Sequence, residues 1–313
     1  MGYESWYLKA SHPTEPIGVW IRYTTHQKPH EPETGSLWFT LFGSGRPEAA
    51  KVTPAPAALS RGAGAFIRIG DSEFADGHVR GSAREARWDL SFEHVEPELR
   101  HLPREWMYRA PIPRTKLTTP YPDARFSGRV GFGEHTVDLD GWPGMVGHNW
   151  GSQHAERWIW LQGSSFDDRE SDTWLDVAIG RIKVGPWTTP WIASGVLSLA
   201  GERHPLGGIG RAGRPQVDEH PDHCIFTLPG PELTVSGEVR APRERFVGWV
   251  YADPDGSEHN VVNCSIAELT LTAQRTASPA ASPLQLHTPN GAAYELGMRE
   301  TDHGVPIQPY ADG

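Results

Sequence analysis

The chain has 313 residues, 22% of them charged, and a formal net charge of -10; it can bury a large core as one or two domains and offers no basic face to a phosphate backbone, which excludes nucleic acid as a partner. No apolar run approaches the roughly 18 residues of a bilayer span, and MGYESWYLKA lacks the basic-then-apolar layout of a signal peptide, so a cytoplasmic protein without a transmembrane segment is expected. Cys224 and Cys264 have no metal-type spacing and are too few for a secreted disulfide framework.

Glycine and proline are abundant, at 34 and 28 residues, and hardly any segment carries the i, i+3, i+4, i+7 apolar spacing of a helix. Short alternating runs between turn residues predict an all-β chain of antiparallel sandwiches or barrels. In chain order, ESWYLKA, GVWIRYTT and LWFTLF read as strands, residues 43–65 as a loop, and GAFIRIGDSEF and VRGSAREARWDLSFEHVE as further strands. Trp88, Leu90 and Phe92 alternate with Asp89, Ser91 and Glu93, which predicts one core face and one wet face. Residues 97–124 hold six prolines and read as a linker or crossover, dividing the chain into β units at 1–122 and 123–313. HVRGSAREARWDLSFE and TVSGEVRAPRERFVGWVY echo each other across the two halves and suggest two similar units. In the tail only ELGMRE reads as a strand, at an edge.

The stretch GWPGMVGHNWGSQHAERWIWLQG, residues 141–163, concentrates tryptophan beside titratable groups. A strand over 154–162 places His154, Glu156, Trp158, Trp160 and Gln162 on one face. In the next strand Trp174 and Asp176 share a face in the same way, and SSFDDRESD joins the two as a hairpin loop. A mixed face of indoles, carboxylates and an amide suits a cavity wall, where apolar neighbours desolvate the acids. Structural packing of these tryptophans is the alternative. The preceding PGMVGHNWG reads as a tight loop in which Gly147 and Gly151 allow unusual backbone angles around His148, Asn149 and Trp150. Glu4, Trp6, Tyr7, Trp20 and Tyr23 repeat the aromatic-plus-acid theme near the start, with core packing as the alternative. His148 and His154 do not form an HExxH-type metal pattern, Ser152 is not in a GxSxG elbow, and GIGRAG lacks the βαβ setting of a dinucleotide loop. No metal or cofactor is expected.

ESWYL and GHNWGSQHAERWIWLQG resemble the opening and central motifs of the superfamily that contains hydroxyneurosporene synthase (carotenoid 1,2-hydratase), tocopherol cyclase and the fungal lipocalin-like Diels–Alderases. The whole chain is similar to an uncharacterised actinobacterial group with W-x-G-M-x-G-H-N-W-G and a C-terminal Y-A-D-P-x-G. Glu4, Trp6 and Tyr7 match the opening motif; His148, Trp150, Gly151, His154, Trp158 and Trp160 match the central one. Ser5 departs from it, standing where the remote relatives have a second tryptophan. The resemblance implies two lipocalin-like β units with an apolar ligand site near their interface, acting on isoprenoid, polyene or polyketide substrates by protonation, hydration or cyclisation without redox cofactors. No motif of the family places the acid; strand parity alone makes Asp176 or Glu156 the expected proton donor, with His148 or His154 relaying or orienting the proton. Trp158, Trp160 and Trp174, with Trp150, Asn149, Gln162, Glu4, Trp6, Tyr7, Trp20 and Tyr23, are expected to hold a small hydrophobic molecule. A carrier with the same cavity and no chemistry is the rival expectation, and a structural protein glued by its tryptophans is the third.

Overall fold

Strands built from alternating aliphatic and polar residues, joined by short turns, pair with their sequence neighbours. The computed structural model of the chain describes residues 2–56, 59–62, 64–94, 96–167, 172–278 and 282–310. It is 64% strand and 4% helix, with two curled antiparallel half-barrel sheets. The first sheet contains β1 (Gly2–Ser11), β2 (Gly18–Gln27), β3 (Thr34–Phe42), β4 (Glu48–Val52), β5 (Leu59–Gly62), β6 (Ala65–Ile69), β7 (Ser72–Ala75), β8 (His78–Ala83), β9 (Ala86–His94), β10 (Leu99–Arg100), β11 (Thr115–Phe132) and β12 (His135–Gly151). After it come β13 (Arg157–Gly163), β14 (Trp174–Arg181), the small hairpin β15 (Lys183–Val184) and β16 (Trp187–Thr188), β17 (Ile192–Leu199) and β18 (Glu202–Gly207). β19 (Gln216–Glu219), β20 (His223–Pro229), β21 (Leu233–Arg240), β22 (Val247–Ala252), β23 (Glu258–Arg275) and β24 (Leu284–Met298) complete the second sheet.

The first sheet runs β4-β3-β2-β1-β12-β11-β9-β8-β7-β6-β5, with β10 beside β11. The second runs β18-β17-β14-β13-β24-β23-β21-β20-β19, with β22 beside β23. Position for position, the second order repeats the first from β4 to β7, and β22 stands where β10 does. The echo in the sequence is a different matter: it aligns β8 and β9 with β21 and β22, whereas the shared order sets β8 and β9 against β20 and β21. Residue 122, where the proline-rich stretch suggests dividing the chain, lies inside β11, and the sheets change over between Gly151 and Arg157. Pro120 and Pro122 fit in β11 because its pairing with β12 is bulged between Thr118 and Ala124.

Three expectations are corrected. Residues 43–65 are not all loop, since β4 and β5 lie there, although residues 57, 58 and 63 fall outside the description. PGMVGHNWG is the end of strand β12 rather than a loop. The ELGM of the ELGMRE stretch ends β24, which lies between β13 and β23 in mid-sheet rather than at an edge; Pro289 and Gly291 interrupt the alternation and hide its length. Residues 168–171 of the SSFDDRESD loop, like 279–281 and 311–313 of the tail, lie outside the described residues.

Strand parity sorts β1. Leu8 and Ala10 join Ile21, Tyr23, Phe39 and Trp88 in the core of the first half. On the other face Tyr7 packs with Trp160, the Lys9 Nζ donates to Gln162 Oε1 at 2.9 Å, and the Ser11 hydroxyl donates to the carbonyl of Ser265. Ile159, Leu161, Val177 and Ile179 belong to the core of the second half, which Trp20 and Trp38 of the first sheet also enter. The two halves therefore meet along β1, β2 and β3.

Candidate active site at the seam between the sheets

A cavity of about 220 Å³ opens at this seam, bordered by Tyr7, Trp20, Arg22 and Asn149 of the first sheet and by Trp158, Trp160, Tyr251 and Glu295 of the second. His101, His154, Glu156 and Ser194 add polar groups to its border. Its walls are aromatic with few polar atoms, the make-up of a small-molecule site. Glycines make room for the walls: a Cβ on Gly147 would stand 2.2 Å from the Tyr7 ring, and one on Gly297 would stand 2.2 Å from the Trp158 indole. Gly147 and Gly151 are not among the glycines with positive φ, so their part is space and not backbone freedom.

His154 lies in the turn before β13, outside the strand, and still borders the cavity. Its backbone N–H donates to Asp253 Oδ1 at 2.7 Å, and Nδ1 stands 2.7 Å from the same oxygen. Burial alone pushes the Asp253 carboxyl up, but its hydrogen bonds and charge attraction with His154 hold it below the usual carboxylate range. An ionised Asp253 can only accept, so Nδ1 carries a hydrogen and Nε2 is the imidazole's other working atom. Nε2 has no hydrogen-bond partner among the described residues. The ring is clamped between Tyr3, stacked at 4.1 Å, and Trp158 at 5.3 Å. His259, fully buried, lies with Nδ1 3.9 Å from Asp253 Oδ2. Burial, and then the neighbouring charges of His154 and Arg299, push it down to about 4, so it stays neutral at ordinary pH.

Glu295 forms the second polar centre. Trp158 Nε1 donates to Oε1 at 3.0 Å, while the Tyr251 hydroxyl at 3.3 Å and Asn263 Nδ2 at 3.2 Å donate to Oε2. Burial, then the charge of Glu295, pushes the Tyr251 phenol far up, and its ring lies under the Arg22 guanidinium at 4.0 Å. Tyr7 is likewise pushed far up by burial and then by the charges of Asp176 and Glu295, which makes it a hydroxyl donor and not a phenolate.

The other expected residues divide. Trp158, Trp160, Tyr7, Trp20, Asn149, His154 and Glu156 border the cavity. Asp176 does not: it lies behind Trp160, whose Nε1 donates to Oδ1 at 3.0 Å, and the Thr119 hydroxyl donates to Oδ2. His101, which does border the cavity, bridges outward from this carboxylate, with Nε2 3.1 Å from the same hydroxyl. Gln162 is tied to Lys9, away from the cavity. Trp174 packs against Leu99 and Val196 under the Arg203 guanidinium. Glu4, Trp6, Tyr23, His148 and Trp150 face the first half: Trp6 stacks on His148 at 3.9 Å, His148 on Trp150 at 4.5 Å, and His148 Nε2 lies 3.0 Å from Glu4 Oε1. Tyr23 donates its hydroxyl to the carbonyl of Arg80 within that core. Parity explains the split, because Trp6 pairs with His148 and Glu4 with Trp150 across β1 and β12, while Ser5 pairs with Asn149 on the seam side. Arg22, His101, Tyr251, Asp253, His259 and Glu295 escape the sequence reasoning; only Tyr251 and Asp253 stand in a recognisable motif, YADPDG.

Among the described residues, two clusters bring metal-ligating atoms within 4.8 Å of one another: His154 with Asp253 and His259, and Glu202 with His204 and Glu232. In the first, two hydrogen bonds from His154 already engage Asp253 Oδ1, which makes it a hydrogen-bonded pair with a neutral neighbour. The second includes two exposed glutamates, an arrangement common without an ion.

No family model matches the chain. An uncharacterised protein of Mycobacterium tuberculosis, found in two strains, is 27% identical over 291 residues, which cover 86% of this chain and 80% of the relative. Among solved structures, a Nitrosomonas europaea protein assigned as AttH superposes with a TM-score of 0.58 at 13% identity, over 95% of this chain and 92% of the other. Kievitone hydratase from Nectria haematococca superposes with a TM-score of 0.55 at 8% identity, over 95% and 89%. The chain has the fold of these two proteins, one of them a named hydratase.

Proposed function

We propose that this chain is an acid–base enzyme that protonates an unsaturated, largely apolar small molecule in the seam cavity. One observation carries the proposal: a histidine at the border of an aromatic cavity, with Nδ1 held by a buried carboxylate and Nε2 left without a partner among the described residues. Carboxylate, imidazole and substrate are the order in which a general acid is oriented. The protonated His154 gives the Nε2 proton to one alkene carbon, whose π pair forms the new C–H bond. The carbocation left on the other carbon faces Trp158, Trp160 and Tyr7, whose rings stabilise positive charge. Attack by water completes hydration and attack by a hydroxyl of the substrate completes cyclisation; in both cases the attacking oxygen gives its proton back to His154. The fold neighbour named a hydratase and the superfamily resemblance both support this class of reaction.

The test is deuterium incorporation. Unsaturated isoprenoid and polyketide compounds are incubated with the protein in D2O and read by mass spectrometry, which detects protonation at carbon whatever captures the cation. His154→Gln and Asp253→Asn should each lower incorporation at least about tenfold. Equal incorporation in these variants overturns the role of the pair, and binding of the compounds without incorporation identifies a carrier.

A further inference from the structure

Two segments that border the cavity leave large apolar side chains in solvent. Residues 101–114 contribute Leu102, Pro113 and Arg114 to its border and expose Trp106 to 64% and Ile112 to 56%. The β15–β16 hairpin follows Ile182, contributes Lys183, and exposes Val184 to 47% and Trp187 to 78%. Four of the six exposed large hydrophobic residues among those described thus fall on the two segments. Surface hydrophobes scattered singly need no account, but a group beside a cavity does. The hairpin pairs with neither large sheet, and every residue from Lys183 to Thr188 is exposed, so its tryptophan supports no core.

The charge carried by the two segments themselves has the opposite sign to the molecule. The chain carries -10 in total, yet Arg104, Arg109, Arg114 and Lys183 are exposed on the two segments and Glu105 is the sole acid in them. Glu105 is itself occupied by Arg100. Exposed tryptophan with basic residues suits the interface of an anionic bilayer, where indole sits at headgroup depth and cations meet lipid phosphates.

We propose that residues 101–114 and the β15–β16 hairpin dock the protein on an anionic lipid surface, bringing the cavity to the layer from which it takes an apolar molecule. The docking rests on the side chains outside the cavity; the delivery rests on the cavity reading given above. An apolar molecule partitions into the bilayer, and a soluble protein that meets it there avoids carrying it through water.

The full chain is sedimented with phosphatidylcholine vesicles, with and without phosphatidylglycerol, at rising salt. Binding is expected to the anionic vesicles, weakening with salt, and at least about tenfold weaker in a Trp106→Ser, Trp187→Ser variant. Brominated lipid should quench tryptophan emission in the native chain more than in that variant. No sedimentation, or sedimentation unchanged in the variant, overturns the proposal. So does self-association of the native chain that the two serines abolish, which would make the patch a contact between copies. Urea unfolding shows whether the variant folds. Binding of a soluble fluorescent fatty acid tests the cavity apart from docking: it should survive in the variant, and its absence in the native chain removes the delivery while vesicle binding keeps the docking.

Discussion

Asp253 has no exposed surface and is charged nonetheless, because His154 gives one of its oxygens two hydrogen bonds. Side chains so joined act as a unit. His154→Gln and Asp253→Asn should therefore each remove most of the deuterium incorporation, and the double variant should lose little more than either single one, a strong non-additivity readable in a double-mutant cycle. Losses that multiply would show two independent groups. Of this pair the sequence exposes His154, through a dense aromatic motif, but not its partner 99 residues away. Glu295 is hidden for the same reason: a carboxylate in YELGM looks like any strand residue until Trp158, Tyr251 and Asn263 converge on it. Asp176 was expected at the cavity because it shares a strand face with tryptophan, yet that face meets β11, whose Thr119 closes over it. Periodicity assigns a face and not what lies opposite.

At the scale of the element, the closing strand β12 is shaped by residues it lacks. Gly147 faces the Tyr7 ring across β1, and even a methyl group would meet the ring at 2.2 Å. Gly147→Ala should lower stability by about 1 to 3 kcal/mol through overpacking, seen as a lower urea midpoint with unchanged slope. Gly210→Ala is the control: it has open space and no positive φ, and should stay within about 0.5 kcal/mol. The glycine-rich run in β12 reads as a loop from composition, because a glycine needed for close approach and one needed for a turn are the same letter. Strands with clean alternation were legible throughout, as in β9, where buried and exposed residues alternate from Ala86 to Glu93.

At the scale of the molecule, the seam is held partly by Lys9, a fully buried lysine of β1 whose Nζ donates to Gln162 Oε1 and to the carbonyl of Gly291 in the second half. Burial pushes its ammonium down to about 7. The unfolded chain holds that proton up to the ordinary lysine range near 10.4. Below pH 7 both states are charged and the full penalty of burying the cation applies. As pH rises above 7 the folded chain is neutral while the unfolded one still binds a proton, so the penalty fades. Native stability relative to Lys9→Met should thus rise by up to about 1.4 kcal/mol per pH unit between about pH 7 and 9, measured by urea melts. A flat difference would mean that water reaches Nζ.

The sheets on either side of that lysine follow one strand order, and both supply the cavity's walls. They behave as unequal twins bound back to back: the first has packed its hollow with its own rings, Trp6, His148 and Trp150 among them, while the join between the twins stays open. A substitution in either twin recuts the same space. Under the proposed function, the range of molecules accepted would be set by the mismatch between two copies of one plan, and neither copy alone would carry the outline of a guest.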